Sequence, residues 1–207
     1  MTTDAINTPY SEARLRIQDA DLLLWRPTSW MGWIIARGTG SPYSHASKAA
    51  WVTDDVLFTI GTEEGKGGTA ELLSALVAAY PGMIDVYAAN PDERWPEYDR
   101  AASIAWSWRY VLNRKYGWWA TIRAGLSRVI VLRWFRFFNP SRDDEANGNH
   151  VPNCSAACSM ADRIGGGVDP VPGMADICTE PDDLSHSPFY RYRFTLVPDE
   201  VPAVLQK

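Results

Sequence analysis

Cysteine is scarce in this chain. There are three in 207 residues, Cys154, Cys158 and Cys178. So small and odd a number excludes a disulfide framework and fits a reducing compartment. Positive charge is also short: 20 Lys and Arg stand against 25 Asp and Glu, for a net charge of −5. That balance argues against generic nucleic-acid binding, which needs a basic surface. No apolar run reaches the roughly 20 residues of a membrane-spanning helix. The N-terminal stretch Met1–Asn7 lacks the basic start and apolar core of a signal peptide, so a cytoplasmic location in the producing cell is expected. Gly65-Lys-Gly-Gly68 lacks the spacing and the Lys-Ser/Thr ending of a phosphate loop. No cofactor and no metal are expected.

What the chain does have is tryptophan, ten residues of it. Rings of that size serve first as core packing, and second as interface material. A hydrophobic content of 46% with 22% charge is ordinary for a globular protein. The length suits one domain that buries a real core.

Residues 1–18 are read as a polar N-terminal arm and residues 19–200 as a single domain. Asp21-Leu-Leu-Leu-Trp25 reads as a buried strand. Thr28 or Ser29 caps a helix that ends near Gly38. Tyr43–Val52 and Val56–Thr62 form a hairpin around Thr-Asp-Asp. A helix over Leu72–Tyr80 and a strand over Met83–Ala88 follow. Asp92 opens a long helix over about 93–113, with Pro96 in its first turn. Residues 118–138 are apolar but carry Arg123, Arg128, Arg133 and Arg136. They form either a helix covering the sheet or an interfacial helix that meets a membrane surface. A helix over Ser155–Ile164 stops at Gly165-Gly-Gly167, and Arg191–Val197 alternates as a late strand. The pattern is α+β, an antiparallel sheet packed against helices.

Two segments carry potential chemistry. Asn153 is an N-cap for a helix starting at Cys154, which places the sulfur over unpaired backbone N–H groups. A thiol is nucleophilic as thiolate, and a helix start and a neighbouring imidazolium both lower its pKa. Cys158 and Cys178 compete for the role, and a buried structural cysteine is the plain alternative. His45, in Ser-Pro-Tyr-Ser-His-Ala-Ser, sits on a strand, which holds a base better than the loops around His150 and His186. His150, Cys154 and Cys158 also form a zinc-like triplet, but the fourth ligand of a structural site is missing.

These residues resemble the permuted papain-like cysteine hydrolases of the NlpC-type superfamily, in particular the YiiX-like branch and its phage-encoded relatives. The resemblance rests on Asp21–Trp25, on Ser41–His45, on Cys154-Ser155, and on Thr179-Glu-Pro-Asp-Asp-Leu184 with Ser187-Pro188. It covers most of residues 19–197. It implies a circularly permuted papain-like fold in which His45 precedes the nucleophile Cys154. It also implies a third polar residue on the strand after the histidine strand. By register that position falls near Gly61, which has no side chain. Glu63, two residues on, shares the strand face and is the candidate, with Glu64 on the other face.

The implied activity is a thiol hydrolase that cleaves an amide bond in a peptide or peptidoglycan substrate. One alternative is a non-catalytic structural or interaction protein on the same fold, such as a virion component of a bacteriophage. Another is a lipid acyl hydrolase or transferase.

Overall fold

The computed structural model describes residues 6–28, 41–112, 114–115, 117 and 152–199. The expected helix from 28 or 29 to 38, the segment 118–138 and His150 lie outside the described residues.

The Leu22-Leu-Leu run explains the centre of the fold. Strand β2 (Leu22–Trp25) is buried on both faces. Leu23 and Trp25 point to one side, with Ile84, Val86, Phe194 and Leu196. Leu22 and Leu24 point to the other, with Ala46, Cys158, Leu184 and Phe189. An uninterrupted apolar run satisfies two cores at once, where alternation would serve only one. The remaining strands are β1 (Asn7–Pro9), β3 (His45–Thr53), β4 (Val56–Glu63), β5 (Gly67–Leu72), β6 (Ile84–Ala89) and β7 (Tyr190–Val197). The seven described strands form one sheet in the order β1-β7-β6-β2-β3-β4-β5. Only the β1–β7 pairing is parallel. The architecture is therefore α+β, with a mixed sheet where a purely antiparallel one was expected.

Helices cover both faces. Helix α1 (Tyr10–Ala13) and helix α2 (Leu73–Ala79) cover the Leu23 side through Ala13, Leu73 and Val77. Helix α3 (Arg100–Tyr110), helix α4 (Cys154–Met160) and helix α5 (Pro181–His186) belong to the Leu22 side. Among the described residues no helix is long and apolar enough to cross a membrane. Trp25, Trp51, Trp95, Trp106 and Trp108 all pack into or against the cores.

Several expectations need correction. The arm is part of the fold from residue 7 onward: β1 pairs with Thr195–Val197, and Ala13 and Ile17 are core residues. The long helix starts at Arg100, not near Glu93. Asn90 closes a loop instead, its side-chain amide donating to the Trp95 carbonyl at 2.8 Å and accepting from the Trp95 N–H at 3.2 Å. Asn90 and Glu93 have φ of 45° and 52°, which no helix admits. Asp99 then caps α3 by accepting from Ala102 N–H at 2.9 Å. The chain turns at residues 64–66, and Gly67 and Gly68 already belong to β5. Gly68 lies so close to the Val111 carbonyl that a Cβ would stand 1.8 Å from its oxygen.

Helix α4 is fastened to the sheet by a buried ion pair. It widens into a π-turn over Ala161–Gly165, and there Asp162 meets Lys48 of β3 at 2.5 Å. Their side chains are 0% and 2% exposed. Lys48 also donates to the Ala20 carbonyl at 3.0 Å and the Tyr190 hydroxyl at 2.9 Å. Asp162 accepts from Tyr98 at 2.7 Å and from Ser103 at 2.9 Å. With these bonds made, the pair is tolerable in a dry core. Removing one partner would strand the other charge. Lys48→Met should therefore lower stability by about 3–5 kcal/mol. Urea unfolding checks this, and adding Asp162→Leu to Lys48→Met should recover much of the loss.

Candidate active site

His45 opens β3, and its register partner across the sheet is Trp25. Carried one pair beyond Lys48↔Ile60, the β3–β4 register puts Gly61 opposite Ser47. Two further pairs put Glu63 opposite His45. Helix α4 lies on the other face, with Ala157 and Cys158 in the cores around Ala46, Ala50 and Ile60. Its first residue, Cys154, reaches the end of the sheet where β3 begins. There the thiol and the imidazole lie close enough to shift one another's charge state.

The expected cap is present. The Asn153 side chain accepts from Ala156 N–H at 2.9 Å, which leaves Cys154 as the first helical residue. Ser155 donates its hydroxyl to the Thr179 carbonyl at 2.6 Å. Glu180 and Asp183 form a capping box at α5. The Cys-Ser pair is therefore tied to the Thr179–Leu184 stretch.

The electrostatics favour a charged pair. Burial pushes the Cys154 thiol up. The hydrogen bond from His45, its charge, and the N–H groups of Ala46 and Ser155 together outweigh burial and hold the thiol below its ordinary range. Burial pushes the His45 imidazolium down, and Cys154 and then Glu63 outweigh it, so its pKa is raised. Both directions favour thiolate with imidazolium. Cys158, one turn along, lies beyond those N–H groups, and burial drives its thiol well up.

Cys154 and His45 open into a pocket of about 350 Å³. Its lining includes the apolar Trp25, Leu76 and Tyr80 and the charged Glu63, Glu64, Glu71 and Lys66. Glu63 is near enough to act on His45 by charge, yet its bonds go elsewhere. It pairs with Lys66 at 2.7 Å and accepts from Thr69 at 3.4 Å. Gly61 also faces the pocket. The other histidine in the described residues, His186, is exposed at the end of α5, beside Asp182. Several pocket residues escaped the sequence reading, among them Trp25, which had been assigned to the core alone, and Ser47, Thr59, Leu76 and Tyr80. For Ser47 and Thr59 the alternating faces of the hairpin were the signal that could have found them.

No family model matches the chain, and no curated protein matches it.

The thiolate fraction of Cys154 rises as pH rises through its lowered pKa, so it should survive at pH 6. At that pH iodoacetamide should label Cys154 well ahead of Cys158 and Cys178. In His45→Ala burial acts with less opposition, the thiol pKa rises, and labelling at pH 6 should fall at least about tenfold, one pKa unit being tenfold in thiolate. Peptide mass spectrometry over a pH series reads both effects.

Proposed function

We propose that this protein is a cysteine hydrolase of the permuted papain-like kind, cleaving an amide bond in a peptidoglycan peptide or a related peptide. The observation that carries this reading is the Cys154–His45 pair, mutually shifted in charge and both lining one pocket. A shifted thiol beside a shifted imidazole in a cleft is what a thiol nucleophile requires.

In this mechanism the Cys154 sulfur attacks the carbonyl carbon of the scissile amide, and its proton resides on His45. Backbone N–H groups at the start of α4, Ser155 first among them, face the developing oxyanion. The C–N bond then breaks and the imidazolium protonates the leaving amine. Water next attacks the thioester while His45 accepts its proton. The C–S bond breaks, giving the free acid and the restored thiol. Amide plus water becomes acid plus amine, with nothing else consumed.

A second reading, a non-catalytic interaction protein on the same fold, draws support from the fourth strand. Gly61 carries no acid, and the Glu63 carboxylate is committed to Lys66 and Thr69. Turnover separates the two readings. Cys154→Ala should abolish hydrolysis of a muropeptide panel while circular dichroism and melting stay unchanged. His45→Ala should reduce it by roughly 10²–10⁴-fold. Retained hydrolysis in Cys154→Ala would remove the assignment.

A further inference from the structure

An imidazole that serves as base must be held in one orientation, and the usual device is a polar side chain behind it. Position 61 does not provide one. A Cβ built on Gly61 would stand 3.0 Å from the Ser47 Cβ and 3.4 Å from the Ala46 oxygen. Ser47 and a side chain at 61 would compete for one volume, and Ser47 occupies it. Glu63 contributes charge to His45 but spends its hydrogen bonds on Lys66 and Thr69.

Ser47 is used for something else. Its hydroxyl oxygen accepts from Trp25 Nε1 at 2.9 Å and from the Thr59 hydroxyl at 2.7 Å. All three groups are buried. The first bond fixes the tilt of the indole, and Tyr80 fixes its other side, ring edge to ring face at 5.0 Å and 85°. The indole so held lies against His45, with centroids 5.9 Å apart and planes at 61°. Trp25 and His45 are also direct register partners on one face of the sheet. An aromatic pair in this setting resists rotation of either ring and favours a cation beside the π system.

We infer that Trp25, locked by Ser47 and Thr59, is the positioning residue for His45, standing in for a polar side chain on β4. The inference rests on the Cys154–His45 reading above. It assigns Trp25 no contact with substrate. It also fits Gly61, since a Cβ there would crowd the Cβ of the Ser47 that holds the indole.

The test is the pH profile of Cys154 alkylation by iodoacetamide, read by peptide mass spectrometry. Wild type, Trp25→Phe and Ser47→Ala are compared, each with His45 and with His45→Ala. Trp25→Phe keeps an aromatic ring but loses the Nε1 anchor. It remains informative where Ser47→Ala, which strands two buried donors, unfolds. The expected result with His45 present is a shift of the profile to higher pH and a roughly three- to tenfold slower reaction at pH 6, the scale of an aromatic pair. With His45→Ala the same substitution should change nothing, because its effect passes through the imidazole. An equal loss in both backgrounds, or no loss in either, overturns the role of Trp25. A wild-type profile that ignores His45→Ala overturns the thiol–imidazole pair itself, a different failure with a different signature.

Discussion

The structure depends most on one buried contact, the ion pair between Lys48 and Asp162. Lys48 lies three residues after His45 on the same strand. Asp162 lies two turns after Cys154 in the same helical element. The pair therefore joins the element that carries the imidazole to the element that carries the thiol. Two charges in a dry interior are costly unless every lone pair and proton is used. Here Ala20, Tyr190, Tyr98 and Ser103 complete them. A small displacement of the helix would break several bonds at once, so its register on the sheet is fixed. Apolar packing between Ala46, Ala50 and the small faces of Ala157 and Cys158 would tolerate sliding. The charged pair does not.

The same logic runs outward to the helix start. Asn153 caps the first turn and Ser155 ties it to the Thr179 carbonyl. Cys154 is held between those two anchors, with the Ala46 and Ser155 N–H groups directed at its sulfur. Burial alone would suppress a thiolate there. The imidazole and the oriented N–H groups reverse that penalty, which is why Cys154 and Cys158 differ although both are buried in one helix.

What was legible in the sequence was whatever is written locally. The Leu22-Leu-Leu run marks a strand buried on both sides. Thr-Asp-Asp marks the hairpin, and Asn153 marks the start of the cysteine helix. What was not legible depends on distant partners. Strand β5 begins Gly-Gly and owes its course to the close approach of Val111 and Arg114. Strand β1 is three residues long and exists because β7 offers it an edge. Helix α3 began later than its composition suggested, because the Asn90 side chain closes a loop on the Trp95 backbone. The Lys48–Asp162 pair joins positions far apart in sequence. Near the candidate site, the placement of His45 on a strand and of Cys154 behind a cap was readable. Glu63 was found as a charge near His45, whereas the polar bond expected of it goes to Lys66. The role of Trp25 was hidden, because a tryptophan in a buried strand looks like packing until its Nε1 partner is known.

The most direct measurement is an NMR titration of the His45 imidazole in wild type and in Cys154→Ala. With the thiol present, the imidazolium should persist above the ordinary histidine pKa of about 6.5. With the thiol removed, burial acts with less opposition and the pKa should drop. That result would establish a thiolate–imidazolium pair as the core of the site. The same pKa in both proteins would mean that the two groups do not share their charge, and the account of this protein as a thiol hydrolase would be wrong.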